Sequence, residues 1–464
     1  MATTQNTITT TDTICAISTP HGTGGIAVAR ISGPQAIQHV TKIWQGTNLA
    51  TAQTHSAHLG TILDTDNRPL DQGIATIYRS PRSYTGEDTV ELSVHGSLWI
   101  QRELLNSLCQ AGCRMAEPGE FTQRAFSNRR LSLTQAEAVA DMIASSSRAA
   151  HRIAINHLRG NFTQRLNQLH HNLLQLASLI ELELDFSEEE VEFASRQQLH
   201  QLATELRHEL QHLSNSYRTG AAIKQGIPVA IIGATNAGKS SLLNTLVGDQ
   251  RAIVSDIHGT TRDIVEDSAE IGDYLFRFLD TAGLRHTTDT IEQIGIERSR
   301  QAAHSARIIL LVADATTSPD PQAIDTARNS PDAHIILVAN KTDLPQADTT
   351  TLLHTARELS APLVSISAAT GAGIDALRQA LITAIESEGD TGSELLVTNA
   401  RQAQALQRAA DSTARVISGL ESGLSGDFIA QDLRQTMHYL SEVSGEITTP
   451  DILQNIFTRF CIGK

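Results

Sequence analysis

Gly233-Ala-Thr-Asn-Ala-Gly238-Lys239-Ser240 fits the pattern G-x-x-x-x-G-K-[ST], a loop whose backbone N–H groups close around nucleotide phosphates. The apolar run Ile227-Pro-Val-Ala-Ile-Ile232 before it predicts a buried strand, and Ser241-Leu-Leu-Asn-Thr-Leu-Val247 after it predicts a helix. That strand–loop–helix context aims a helix N-terminus at the phosphates, where its dipole favours negative charge. Asn236, Ala237, Gly238, Lys239, Ser240 and Ser241 are therefore the expected phosphate-binding residues, with Lys239 reaching the β/γ-phosphates and Ser240 ligating Mg²⁺.

Three further stretches extend the site. Asp280-Thr281-Ala282-Gly283 follows the strand-like Tyr274-Leu-Phe-Arg-Phe-Leu279, giving an aspartate near the metal and a glycine that senses the γ-phosphate. Asn340-Lys341-Thr342-Asp343 follows His334-Ile-Ile-Leu-Val-Ala339. A carboxylate at Asp343 accepts from N1–H and the exocyclic amine of guanine, a donor pair adenine lacks. Ser367-Ala368, after Leu363-Val-Ser-Ile366, completes the base pocket. Four elements in this order, each closing a strand, are those of a Ras-like α/β P-loop domain that takes GTP rather than ATP.

The residue after Asp280-Thr-Ala-Gly283 is Leu284, where a water-orienting glutamine is usual, so Arg285 and Glu292 become the candidates for handling the attacking water. Transition-state charge also needs neutralising, a task worth about 10³–10⁵ in rate when an arginine performs it. Asn236 has two readings: its amide oxygen holds a monovalent cation against the phosphates, or it hydrogen-bonds within its own loop. Ser255, Asp256, Ile257, His258, Gly259, Thr260 and Thr261 form the candidate switch, with two adjacent hydroxyls where Mg²⁺ needs one.

At 464 residues the chain exceeds one ordinary core, and two to three domains are expected. The formal charge of −15 argues against broad attraction to nucleic acid. Cys15, Cys109, Cys113 and Cys461 show no metal spacing and fit a reducing cytoplasm, with Cys109 and Cys113 read as core residues. No apolar run approaches the roughly 18 residues that span a bilayer, so no membrane is expected.

Residues 1–121 read as an α+β domain built on Ile14-Cys-Ala-Ile17, Ile26-Ala-Val-Ala-Arg-Ile31 and Val90-Glu-Leu-Ser-Val94. The glycine-rich Thr19-Pro-His-Gly-Thr-Gly-Gly25 is either a turn between strands or an anion cradle, and the arginine-rich stretch from Arg114 to Arg130 reads as a solvated charged face. Leucines 166, 169, 173 and 176 with Ile180, and leucines 199, 202, 206, 210 and 213, fall at helical spacing. They predict a helical domain in two parts, 122–219 and 389–464, with a GTPase domain at 220–388 inserted between them; that arrangement suits termini that lie close together. The acidic run Asp185-Phe-Ser-Glu-Glu-Glu190 reads as a helix junction, and most histidines of the helical region as solvated.

Together these residues resemble the MnmE (also called TrmE) family of tRNA-modification GTPases. The resemblance covers essentially the whole chain and rests on Arg30-Ile-Ser-Gly33, Tyr84-Thr-Gly-Glu-Asp88, Pro118-Gly-Glu-Phe-Thr-Gln-Arg-Ala-Phe126, Gln135-Ala-Glu-Ala-Val-Ala-Asp141, the GTPase set with Gly259-Thr-Thr-Arg-Asp263, and Cys461-Ile-Gly-Lys464. It implies a homodimer built through the N-terminal domains, joined with the FAD protein MnmG in a heterotetramer. It further implies transfer of a one-carbon unit from 5-formyl- or methylene-tetrahydrofolate to C5 of the wobble uridine of certain tRNAs, as an aminomethyl or carboxymethylaminomethyl group. Arg30, Glu87, Arg130 and Lys464 match its folate-binding positions, Arg130 standing where the family commonly has lysine. Asn236, Ser255, Ile257 and Thr260 match its K⁺ site, Ser240 and Thr261 its Mg²⁺ ligands, and Glu292 its water-activating position. Cys461 matches the terminal cysteine, either a participant in the modification or a packing residue beside the folate. The competing reading is an Era-like ribosome-assembly GTPase without covalent chemistry; the basic RNA-binding domain such a factor would carry is not evident in this sequence.

Overall fold

The computed structural model describes residues 12–185, 196–248, 267–279, 300–387, 395–458, 460 and 462–464. It divides into one unit of Met1–Ala140, Leu158–His170 and Met437–Lys464, and another of Asp141–His157 and His171–Thr436.

In the first unit, strands β1 (Ile14–Ile17), β2 (Gly24–Ser32), β3 (Trp44–Gly46), β4 (Ser56–Leu63), β5 (Pro69–Tyr78), β6 (Thr89–Gly96) and β7 (Arg114–Met115) form one sheet in the order β3-β4-β5-β6-β2-β1-β7. Alternation sets its faces: Val90, Leu92 and Val94 turn inward while His95 is exposed. The helix Leu98–Ala111 covers the inner face with Leu104 and Leu108. Between β1 and β2, which pair antiparallel, the glycine-rich stretch is a hairpin turn. The arginine-rich stretch differs from its reading as a solvated face. Arg124 is 3% exposed and binds Asp12, Glu120 and Glu87, because the helix Glu120–Ser127 turns this one arginine into a pocket of carboxylates.

In the second unit, β8 (Ile227–Ile232), β9 (Asp267–Ile271), β10 (Tyr274–Leu279), β11 (Ile308–Asp314), β12 (His334–Asn340) and β13 (Leu363–Ser365) form a sheet ordered β13-β12-β11-β8-β10-β9. Every pairing is parallel except that of β10 with the edge strand β9. Sheets of that kind are covered on both faces, and two apolar clusters lie there, one around Phe276 and Leu310, the other around Ile309 and Leu337.

In sequence two long helices flank this sheet. Arg196–Gln225 leads straight into β8, and Ala400–Ser422 returns beside it, joined by Gln211 Nε2 to Gln407 Oε1 at 2.9 Å. The helical leucines pack inward as their spacing predicts, except that Leu202 is half-buried. Each fully buried one contributes about 1.5–3 kcal/mol. Asp141 sits where the two connections meet: it holds Lys224 Nζ at 2.6 Å and accepts from Thr398 Oγ1 at 3.0 Å. His157, expected in solvent, is 2% exposed; it lies on the buried side of the helix Arg148–Leu158, hydrogen-bonded to the Leu396 backbone. The acidic run after Asp185 lies outside the described residues.

Candidate functional site

The loop that leaves β8 is shaped by two glycines. Gly233 has φ 147° and Gly238 φ 93°. A Cβ at Gly233 would fall on the Val312 carbonyl oxygen, and one at Gly238 on the Asn340 side-chain amide. Only glycine lets the loop lie this close to β11 and β12. Asn236, at the exposed tip, is left-handed at φ 64°, a conformation asparagine tolerates. Ala237 is buried, Ser240 and Ser241 lie in the first turn of the helix Lys239–Gly248, and Lys239 Nζ lies 2.8 Å from the Gly233 carbonyl and 2.7 Å from that of Ala234. Burial lowers the pKa of this ammonium, with Asp320 opposing.

Asn340 ends β12 and is 2% exposed. Its Nδ2 donates to the Ala237 carbonyl at 2.8 Å, and its Oδ1 accepts from Ala368 N–H at 3.0 Å. One side chain thus fastens the loop after β8 to the loops after β12 and β13. Lys341, left-handed at φ 64°, reaches Asp314 Oδ2 at 2.6 Å. Burial works against the Asp314 carboxylate, but Lys341 and Thr316 hold its carboxyl below the usual range. Thr342 donates through N–H and Oγ1 to the Ile366 carbonyl at 3.2 and 2.9 Å. Ser367 is fully buried and Asp343 is exposed, so the carboxylate expected to read guanine is accessible. Sequence reasoning missed β11 and its terminal Asp314; the signal was there in Ile308-Ile-Leu-Leu-Val-Ala-Asp314, an apolar run closed by an acid.

Ser255, Asp256, Ile257, His258, Gly259, Thr260, Thr261, Asp280, Thr281, Ala282, Gly283, Arg285, Glu292 and Cys461 lie outside the described residues.

A second cluster lies in the first unit. The Arg30 guanidinium pairs with Glu91 Oε1 at 2.9 Å and stands 5.1 Å from the Tyr84 ring centre and 5.7 Å from that of Phe121. Glu87 accepts from Ser32 Oγ at 2.9 Å and from Arg124 Nη1 at 3.3 Å. The exposed Arg130 runs its stem past Gly86, next to Glu87, while Asn128 Nδ2 binds the Thr85 carbonyl at 2.8 Å. Lys464 is half-buried, and the Gly463 before it packs on the end of β1.

Cys113 is buried as expected and Cys15 is buried in β1, whereas Cys109 is exposed because it lies on the outer side of the last turn of its helix. Hydrogen bonding with Cys113, then burial, raises the pKa of the Cys15 thiol, and burial raises that of Cys109. Thiols held protonated are poor nucleophiles. Among the described residues no helix is long and apolar enough to cross a membrane.

Two family profiles match the chain: "MnmE helical domain" over residues 133–461 and "GTP-binding protein TrmE N-terminus" over residues 13–130. A Porphyromonas gingivalis protein named tRNA modification GTPase MnmE is 47% identical, covering 98% of each chain. Proteins of the same name from Parabacteroides distasonis (47% identical, 97% of this chain and 100% of the relative) and Cytophaga hutchinsonii (43%, 98% of each) are similar over the same extent.

Proposed function

The chain belongs to the MnmE family of tRNA modification GTPases, and from that premise we propose that it is a GTP-hydrolysing tRNA modification enzyme. In this reading it works in the cytoplasm as a homodimer, in a heterotetramer with the FAD protein MnmG. It installs an aminomethyl or carboxymethylaminomethyl group on C5 of the wobble uridine of certain tRNAs. The one-carbon unit comes from a tetrahydrofolate derivative. The relatives reported above are named for tRNA modification, and nothing favours the ribosome-assembly alternative.

The observation that carries the GTP reading is the Asn340 bracket, which ties a glycine-shaped phosphate loop to the loop of Ser367 and Ala368 at one edge of a parallel sheet. Ligands of such sheets bind outside the carboxyl ends of the strands. The tight approach of Gly233 and Gly238 to neighbouring strands is what a loop that wraps its backbone around a phosphate needs. Residues 220–388 act as an inserted Ras-like GTPase domain. Residues 1–121 act as the folate and dimerisation domain, and 122–219 with 389–464 as the helical domain. Lys239 neutralises the phosphates, Asp343 reads guanine, and Glu292 takes the attacking water where Leu284 cannot, with Arg285 beside it in sequence. Mg²⁺ on Ser240 and Thr261, and K⁺ on Asn236, Ser255, Ile257 and Thr260, would supply positive charge beside the phosphates when bound. For the folate, Arg30, Arg130 and Lys464 offer cations to its carboxylates. Glu87 offers a carboxylate to its amino-bearing ring, and the Tyr84 face beside Arg30 suits a flat heterocycle.

The test is GTP hydrolysis by the purified chain in KCl and in NaCl at matched ionic strength, with a reduced-folate titration alongside. Hydrolysis strongly stimulated by K⁺, and saturable folate binding, are expected. Equal rates in the two salts would remove the K⁺ site, and absence of folate binding would remove the one-carbon chemistry. Glu292→Ala should keep GTP binding and lose turnover.

A further inference from the structure

Phe460 and Gly463, close to Lys464 in sequence, are each held against neighbouring structure. On one side Phe460 is buried against Phe457 and Ala136, ring centres of the two phenylalanines 5.6 Å apart. On the other, Gly463 adopts φ 96°, and a Cβ built there would fall on the Ile17 carbonyl oxygen. The Gly463 carbonyl in turn accepts from Ser18 Oγ at 3.0 Å, across 445 positions of sequence. The seat is itself firm: Ser18 N–H donates to the Val28 carbonyl at 2.7 Å, and Ile17 pairs with Ala29, the neighbour of Arg30.

We propose that Ser18 and Gly463 form a latch that positions Lys464 for the reduced-folate site. This rests on the folate reading above. Ser18 is a positioning residue: it acts by fixing a neighbouring backbone rather than by touching ligand. Its hydroxyl supplies the hydrogen bond, and the missing Cβ of Gly463 allows the close approach without which the bond cannot form. Both partners are needed, since a left-handed side-chain-bearing residue at 463 would be strained and would collide with β1.

The experiment uses the full chain and two readouts. Amide hydrogen exchange of the peptide spanning residues 456–464 reads the latch alone. Losing one hydrogen bond in Ser18→Ala should speed exchange there about three- to ten-fold, and Gly463→Ala should do so at least as much. Ser18→Thr, which keeps the hydroxyl, should restore slow exchange. Titration with 5-formyltetrahydrofolate reads the consequence: both disruptive variants should bind it about three- to ten-fold more weakly, with Ser18→Thr near the unsubstituted chain. Wild-type exchange in both disruptive variants overturns the latch. Faster exchange with unchanged folate affinity overturns its positioning role. No binding by the unsubstituted chain overturns the folate reading, and the positioning role with it.

Discussion

Replacing Asn340 with alanine removes the only side chain among the described residues that hydrogen-bonds both the Ala237 carbonyl and the Ala368 N–H. Each bond is short and well inside the protein, Asn340 being 2% and Ala237 1% exposed. Two net hydrogen bonds and a stranded buried carbonyl together come to about 2–4 kcal/mol. That cost falls on the phosphate loop and on the loop of Ala368 at once. If the bound form needs both loops in place, Asn340→Ala should weaken GDP by about thirty- to several-hundred-fold, from the same free energy expressed as a dissociation constant. Titration of the full chain with a fluorescent GDP analogue measures it. Asn340→Asp is the sharper variant: it keeps an acceptor for Ala368 but replaces the donor facing the Ala237 carbonyl with a second acceptor, so it should bind no better. Because the bracket shapes the phosphate loop, the loss should be shared by inosine diphosphate, which lacks the guanine amine. Binding of GDP within about three-fold of wild type would refute the bracket, as would a loss confined to guanine nucleotides, since either leaves the phosphate loop intact without Asn340.

Asp343→Asn should exchange guanine for xanthine preference, because an amide can donate to the carbonyl that xanthine carries where guanine has its amine; competition of GDP against XDP reads this, and unchanged guanine preference would remove Asp343 from the base site. Arg124→Met should cost about 3–5 kcal/mol of unfolding free energy by stranding carboxylates around a nearly buried site. Burial alone would raise the carboxyls of Asp12 and Glu120, but Arg114 and Arg124 hold both low, so their contribution is full above the ordinary carboxylate range and is lost as pH falls through their lowered values. Arg124→Met should therefore flatten the acid limb of stability against pH. His157 titrates the other way in origin: burial drops it from 6.5 to about 4, against the pull of Asp141 and the Leu396 backbone. The folded state disfavours its proton, so stability is full above pH about 6.5 and declines by on the order of 3 kcal/mol as pH falls to about 4, a slope that His157→Gln should lack in matched denaturant titrations.

How much of this was written in the sequence depends on the range over which each signal acts. The phosphate loop, its strand and its helix are set by neighbours along the chain, and they stand where the stretch from Ile227 to Val247 predicts. The helical leucines are equally local, because a 3.6-residue period is a property of one segment. What stayed hidden depends on partners far away in sequence. Arg124 looks like its exposed neighbours until the fold brings Asp12, Glu87 and Glu120 around it, and no periodicity marks one arginine in a basic run for burial. Asn340 reads locally as part of a base-recognition motif, yet its hydrogen bonds go to backbone 103 and 28 positions away. Asp141 is the clearest case. The sequence offers it only as the end of Gln135-Ala-Glu-Ala-Val-Ala-Asp141, with no chemistry attached. In the structure it takes Lys224, just before the chain enters β8, and Thr398, just after the chain returns. Lys224 is in the last turn of Arg196–Gln225 and Thr398 stands just before Ala400–Ser422, so one carboxylate holds together the two helix ends between which the sheet-bearing stretch runs.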